Sequence, residues 1–345
     1  MALNTPASGP DELHAVTIGI LTYKRPWSVR KTLDSLRQAR VVGPSAIPAD
    51  TRHAITEVVV IDNDPEASAT EVVLAWADEH GLGDVVRHVH EPEPGLAAAR
   101  NRALDEATGV VLVFIDDDET AEEGWPHGQL EVLQTTGAAL VGAPVLTAFE
   151  DKPPAWVTTG GFFDRDDPPH GNAVPWLRSG NLAIDLTRTR EAGVRFDPAF
   201  AFTGGEDVAF SRAAVAAGLD LRWSARGAVT ELVGPDRTTA RWLANRARRA
   251  TASYVRANLA QEDGFRPRGS FAARGVIRLV QGVATVLVGA VTLNYARVVR
   301  GVTLLHRGFG FLEGLLGRRS RSYGAGTGPG TGDEPGRTAM EAHGE

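Results

Sequence analysis

Asp116, Asp117 and Asp118, with Glu119 behind them, follow an unbroken apolar run at 110–115, VVLVFI. Like charges this close are costly unless a cation or a ligand compensates them. While the backbone stays extended, Asp116 and Asp118 project to the same side and can share one ion. All-oxygen ligation of this kind suits Mg²⁺ or Mn²⁺, with substrate phosphates completing the shell. The competing reading is a solvated acidic turn, and position weighs against it. Asp62-Asn63-Asp64 ends a second apolar run at 55–61, and Thr22-Tyr23-Lys24-Arg25 ends a third at 16–22. A further acidic pair, Glu206-Asp207, follows Gly204-Gly205 and opens a helical pattern.

Such groups meet only if the strands that carry them end on one edge. The β-rich runs 16–22, 55–61, 85–89, 110–115 and 139–144 alternate with helical spacing over 27–40, 70–80, 96–107 and 128–136. That alternation predicts an α/β fold with a doubly wound, mostly parallel sheet, whose ligands gather at the C-terminal strand ends. Residues 147–178 break the pattern with Pro, Gly and Asp and with Phe149, Trp156, Phe162, Phe163 and Trp176, which reads as a functional loop. Regular structure resumes with a strand at 181–186, a helix at 206–217 and strands at 219–223 and 228–232. Helical patterns follow over 239–259 and 271–316. No GxGxxG follows the first strand and no GxxxxGK[ST] occurs, which disfavours a dinucleotide fold and a P-loop NTPase. A metal, rather than a glycine loop, is then expected to neutralise phosphates.

The 345 residues are 43% apolar and 23% charged, ordinary for a folded soluble protein. Cysteine is absent, which excludes a disulfide scaffold, Cys-based zinc sites and thiol catalysis, and fits a reducing compartment. Residues 1–10 have neither a basic nor an apolar stretch, so no secretory signal is expected. Charge is uneven. Residues 1–235 carry 19 Lys and Arg against 35 Asp and Glu, whereas 236–325 carry 16 against 4. Within the basic part, 276–294 is a 19-residue apolar stretch interrupted by Arg278 and Gln281, at the margin of what crosses a bilayer. Arg266, Arg268, Arg274 and Arg278 precede it or lie in it, and Arg297, Arg300 and Arg307 follow. Phe309, Phe311, Leu312, Leu315 and Leu316 add a second apolar patch ahead of Arg318, Arg319 and Arg321. This composition fits helices lying on an anionic membrane surface, where each basic residue contributes ~1 kcal/mol. A soluble packing helix is the alternative. Nucleic acid is disfavoured, because the aromatics follow amphipathic rather than base-stacking placement. The expected division is a flexible N-terminus (1–14), a catalytic domain (15–235), a basic helical extension (236–322) and a disordered tail (323–345).

The ensemble resembles the family 2 glycosyltransferases of the GT-A fold, inverting enzymes that use nucleotide sugars. The resemblance spans about 16–233 and rests on five segments in the family's order: TYKR, VVVIDN, PGLAAARNRAL, FIDDDE and GGEDVAFSRAAVAAG. It implies that Thr22, Tyr23, Arg25 and Asp62 hold the nucleobase, Tyr23 flanking the ring and Asp62 accepting the imide N–H of uracil. Arg100 would face carboxylate or phosphate, or else make a structural salt bridge. Asp116 would touch ribose or metal, and Asp118 would link the metal to the diphosphate. Gly204 and Gly205 would let backbone approach the acceptor sugar. Asp207 would be the general base and Glu206 would orient the acceptor, unless both merely favour a helix N-terminus. Where the family often has a metal-binding histidine this chain has Glu231, a hard oxygen donor that favours Mg²⁺ over Mn²⁺. Arg237, Arg241 and Trp242 of RTTARWLANRARR are candidates near the diphosphate, or parts of a solvated basic helix. The ending GFGFLEGLLGRR is similar to exopolysaccharide-type members that act on lipid-linked acceptors. Together these imply a cytoplasmic enzyme, peripheral or monotopic at the inner membrane face. It would move a sugar from a UDP-sugar to a glycan or polyprenyl-linked saccharide with the help of Mg²⁺ or Mn²⁺. Two rivals are a sugar-nucleotide nucleotidyltransferase, which lacks its basic glycine loop here, and a catalytically silent binding protein of the same fold.

Overall fold

A computed structural model of the chain describes residues 14–44, 53–262 and 264–317. Of the flexible N-terminus expected over 1–14, residues 1–13 lie outside the described residues, whereas His14 already begins a strand; the tail expected from 323, and Arg318, Arg319 and Arg321, also lie outside them.

The first half runs β1 (His14–Thr22), α1 (Pro26–Gln38), β2 (His53–Asp62), α2 (Thr70–Glu79), β3 (Val86–His90), α3 (Leu96–Glu106) and β4 (Val111–Asp116). It continues through β5 (Glu119–Ala121), α4 (His127–Thr136), β6 (Leu140–Gly142), β7 (Val145–Phe149) and a short α5 (Ala155–Thr159). The rest comprises β8 (Leu182–Asp185), α6 (Leu186–Glu191), α7 (Glu206–Ala216), β9 (Leu221–Trp223) and β10 (Val229–Val233). Three long helices close the chain: α8 (Ala240–Gln261), α9 (Phe265–Val291) and α10 (Tyr295–Leu315).

Strand periodicity sorts the core into two layers. Val16, Ile18 and Ile20 of β1, with Val58 and Val60 of β2, pack on one face against Val29, Leu33 and Leu36 of α1 and Val73 and Trp76 of α2. Val59, Ile61, Leu112 and Phe114 point to the other face, onto the alanines of α3 and onto Phe196 and Phe210. The main sheet has seven strands in the order β3-β2-β1-β4-β8-β6-β9. It is parallel except at β8, which runs antiparallel to both β4 and β6. In register, Thr22 lies opposite Asp62 and Leu21 opposite Asp116, so three polar strand ends share one edge.

Two expectations change. The strand expected at 228–232 does not extend the main sheet; β10 forms a second, three-stranded sheet between β5 and β7. Its antiparallel pairing with β5 sets Glu231 opposite Glu119, beside the acidic turn. The helical pattern over 271–316 is two helices. Leu293 takes a left-handed φ of 50°, and the Asn294 side chain caps α10 by accepting from the Arg297 N–H at 2.9 Å.

Glycine spacing explains how α9 and α10 pair. Gly275, Gly282 and Gly289 recur every seven residues on α9 and are buried, as are Gly301 and Gly308 on α10. A Cβ at Gly282 would fall 2.7 Å from Leu305, and one at Gly308 would fall 2.6 Å from Leu279. The helices therefore meet nearly backbone to backbone, as small residues allow. The aliphatic side chains of α9 are turned outward: Val276, Ile277, Val280, Val283, Leu287 and Val291 are all exposed. Among the described residues, α9 is the helix long and apolar enough to cross a membrane.

Candidate active site

The acidic turn between β4 and β5 is built from both sides of the strand. Asp117, in alternation with Asp116 and Asp118, turns inward and is buried. Its Oδ2 accepts from Thr22 Oγ1 at 2.7 Å, and its Oδ1 takes a very close contact from Arg25. Its carbonyl accepts from Ser28 Oγ at 2.7 Å and Thr32 Oγ1 at 2.9 Å, which fastens the turn to α1. Even so, burial and the neighbouring carboxylates push Asp117 up to about 7.

Asp116 stands at the open end of β4. Burial there raises it to about 6, with Asp118 and Glu231 adding repulsion that Arg100 and Arg25 offset only in part. Glu119, whose Oε2 accepts from the Asp116 N–H at 3.1 Å, is held well above the usual carboxylate range by burial and then by Asp116 and Asp118. Asp118 is bracketed by Arg25 at 3.2 Å and Arg237 at 3.4 Å. Glu231 is bracketed by Arg165 at 3.3 Å and Arg237 at 2.8 Å.

The donor chemistry suits a hard divalent cation: the groups are all oxygen, the arginines offset their mutual repulsion only in part, and Gly180 leaves room beside them. A Cβ at Gly180 would lie 2.8 Å from Asp116 Oδ2 and 3.1 Å from Glu119 Oε1. The expected triad of Asp116, Asp118 and Glu231 is not drawn together, however. Among the described residues, no three His, Asp or Glu side chains form a metal-holding group. The reason is Arg237, whose guanidinium reaches both Asp118 and Glu231. In this arrangement Glu231 partners two arginines, Arg165 and Arg237.

On the other side of the turn, Arg100 is buried on α3. It donates to Glu206 Oε1 at 2.5 Å and lies 3.9 Å from Asp116 Oδ1. Its guanidinium sits 5.6 Å above the Phe196 ring. Among the described residues, Glu206 Oε2 is buried without a hydrogen-bond partner. Asp207, next along α7, accepts from the Val208 N–H at 2.8 Å. Burial, then the charge of Glu206, raises Asp207 to about 7, where it exchanges a proton near neutral pH.

Several expected contacts are turned to structural use. The Asp62 carboxylate has no exposed surface. It accepts from the Asp64 N–H at 3.0 Å and the Ala69 N–H at 2.7 Å, and so shapes the β2 turn. Thr22 and Arg25 are spent on the acidic turn, as given above. Gly205 (φ 94°) does not open toward a ligand; a Cβ there would meet the Ser253 Cβ and carbonyl of α8 at 3.0 Å. Gly204 (φ 70°) forms the same turn. Tyr23 remains exposed at the strand edge, together with Trp27, which sequence reasoning had not singled out. Arg241 lines a groove of about 440 Å³ between α8 and α10, away from the carboxylates. Glu119, visible in the DDDE run, and Arg246, inside RTTARWLANRARR, were not singled out among the candidates, and Arg165 and Arg178, also near the turn, carry no local signal.

The sheet order, the carboxylate edge and the glycine-led α7 define a glycosyltransferase of the GT-A type. Residues 17–202 match the description Glycosyl transferase family 2, and the chain belongs to that family. It is 32% identical over 325 residues to the succinoglycan biosynthesis protein ExoM of Rhizobium meliloti (strain 1021), covering 92% of this chain and 98% of that protein. Its fold is similar to that of the mannosyltransferase PcManGT from Pyrobaculum calidifontis, solved with GDP-Man and Mn²⁺. The TM-score is 0.55 at 18% identity, over 90% of this chain and 91% of that one. It is also similar to GalNAc-T7, solved with UDP, GalNAc and Mn²⁺, at a TM-score of 0.51 and 16% identity, over 71% of this chain and 47% of that one.

Proposed function

We propose that this glycosyltransferase is an inverting enzyme that moves a sugar from a nucleotide donor, taken to be a UDP-sugar, onto a growing glycan. The observation that carries the reading is Asp207. It is raised to about 7 and lies across Arg100 and Glu206 from the carboxylates that would face the donor. In that place it accepts the acceptor hydroxyl proton as the oxygen attacks the anomeric carbon from the face opposite the diphosphate. Glu206, held by Arg100, positions Asp207 and orients the acceptor.

Asp118, with Asp116 beside it, would hold a divalent cation, Mg²⁺ or Mn²⁺; a bound cation supplies positive charge against the leaving diphosphate. The Mn²⁺ in both fold relatives supports this assignment. Tyr23, 37% exposed, and Trp27, 53% exposed, offer rings to a nucleobase at the edge where β1 and β2 end. The similarity to ExoM supports polysaccharide biosynthesis and a saccharide or polyprenyl-linked acceptor. The exposed aliphatic face of α9, flanked by arginines, supports attachment to an anionic membrane at its cytoplasmic face. The 15–235 and 236–322 division assigns catalysis to the first part and attachment to the second.

The test is release of nucleoside diphosphate from a panel of sugar nucleotides, with and without Mn²⁺. One sugar nucleotide should be turned over in a metal-dependent way. Failure of every donor in both conditions would leave a binding protein of this fold.

A further inference from the structure

Arg165, Arg178, Arg237 and Arg246 lie within electrostatic reach of one another on the Glu231 side of the acidic turn. Two of them are paired: Arg165 with Glu231, and Arg237 with Glu231 and Asp118. For Arg178 and Arg246 the structure contains no ion pair or hydrogen bond among the described residues. Each rests instead on aromatic rings. Arg178 is 5.7 Å from the Trp176 centroid. Arg246 is 5.1 Å from that of Trp242 and 6.0 Å from that of Phe163. Those last two rings stack at 6.3 Å and 15°. A guanidinium laid on a ring keeps its N–H edge free for planar, two-point hydrogen bonding.

Both side chains reach solvent, yet desolvation by the surrounding chain and then the neighbouring arginines hold them below the usual arginine range; Asp207, Asp167 and Glu231 counteract this at Arg178, as Glu231 does at Arg246. Arg178 thus feels the charge of both the α7 carboxylate and the β10 glutamate. Clustered cations that form no ion pair of their own favour an anion. A single carboxylate would compensate one of them, whereas a diphosphate, with more than one negative charge and several acceptor oxygens, matches both.

We propose that Arg178 and Arg246, with Arg165 beside them, form a clamp for a diphosphate group on the Glu231 side of the acidic turn. The inference rests on the donor-and-acceptor reading above and adds the ligand class of these arginines. Two sources share this chemistry: the diphosphate of the donor nucleotide, and that of a lipid-linked acceptor. The loop that carries Arg165 is itself fastened to the C-terminal helices. Arg300 of α10 donates to the Gly160 carbonyl at 2.6 Å, and Trp156 meets Tyr295 edge-on at 5.4 Å.

The experiment is equilibrium binding of inorganic pyrophosphate, UDP and a short-chain prenyl diphosphate to the full chain. Wild type is compared with Arg178→Gln, Arg246→Gln, the double variant and Arg178→Lys, each checked by melting temperature. Loss of one charge-assisted contact should weaken pyrophosphate about tenfold or more per arginine, with Arg178→Lys in between. If UDP weakens in parallel, the clamp serves the donor; if UDP holds while the prenyl diphosphate weakens, it serves the acceptor. Affinities for all three within twofold of wild type, in variants that remain folded, would overturn the clamp. Release of nucleoside diphosphate by the wild type, measured alongside, shows whether the transferase reading survives that result.

Discussion

Arg100 Nη1 donates to Glu206 Oε1 at 2.5 Å, joining α3 to the start of α7 across 106 positions of sequence. Both side chains are nearly sequestered from solvent, at 5% and 8% exposure. The pair links the two halves of the site, because the same guanidinium lies 3.9 Å from Asp116. Removing one member of a buried pair leaves an uncompensated charge and costs about 3–5 kcal/mol. Arg100→Met is therefore expected to lower unfolding free energy by that much in a denaturant titration. Arg100→Met combined with Glu206→Leu should recover most of the loss. Independent, additive effects of the two substitutions would show that the contact carries no coupling.

Asp118→Ala tests the cation assignment. Asp118 is a partly exposed member of the acidic turn and faces Arg25 and Arg237 rather than the core. If it links a divalent ion to the diphosphate, its loss should abolish transfer and make UDP affinity insensitive to Mn²⁺. Calorimetry with and without the ion measures this directly. A Mn²⁺-dependent gain in affinity that survives the substitution would remove Asp118 from the ligand set.

The strands that carry the acidic groups were legible because each is a short apolar run, and the shared edge followed from their alternation with helices. What alternation could not say is which oxygen goes inward. Asp117 faces Thr22 because it is out of phase with Asp116 and Asp118, and that phase was readable. The inward turn of Asp62 was not, since it depends on the backbone N–H groups of Asp64 and Ala69 coming round to meet it. Arg237 lies six residues from Glu231 in sequence, but its approach to Asp118 depends on β10 pairing with β5. The break at Leu293 carried only a weak signal, the N-capping Asn294 in a stretch otherwise without Gly or Pro. The seven-residue glycine spacing on α9 and α10 was present in the sequence, but the valines between the glycines dominated its apolar pattern.

The outward aliphatic face of α9 leads to a prediction about location. Deleting residues 264–345 should shift the protein from membranes to the soluble fraction while UDP binding persists. A gentler variant, Ile277→Glu with Val280→Glu and Leu287→Glu, places charges on exposed positions only. It should therefore leave the melting temperature nearly unchanged and abolish flotation with anionic vesicles. Equal flotation of the variant and the wild type would show that this face does not meet lipid.

Asp207→Asn decides between catalysis and helix capping. The substitution keeps the side chain's size, and its amide oxygen can still accept from the Val208 N–H. It removes the proton-accepting carboxylate, so transfer should fall by about 10²–10⁴-fold with donor affinity little changed. The wild-type rate should climb with pH through about 7, where Asp207 loses its proton, and then level off. Stability should move in the opposite direction. Because the folded-state pKa is raised above the unfolded value, the folded chain holds the proton more tightly between the two. The contribution of Asp207 to stability is therefore intact below the unfolded pKa and is lost as pH rises to about 7. At pH 8 the Asn variant, which buries no charge, should melt at or above the wild-type temperature. A residue whose role is to cap the helix would instead show a loss of about 0.5–2 kcal/mol and near-normal turnover. Turnover and melting temperature measured on one preparation across pH 5–8 separate the two, and a stable variant retaining more than half its activity would exclude Asp207 as the base.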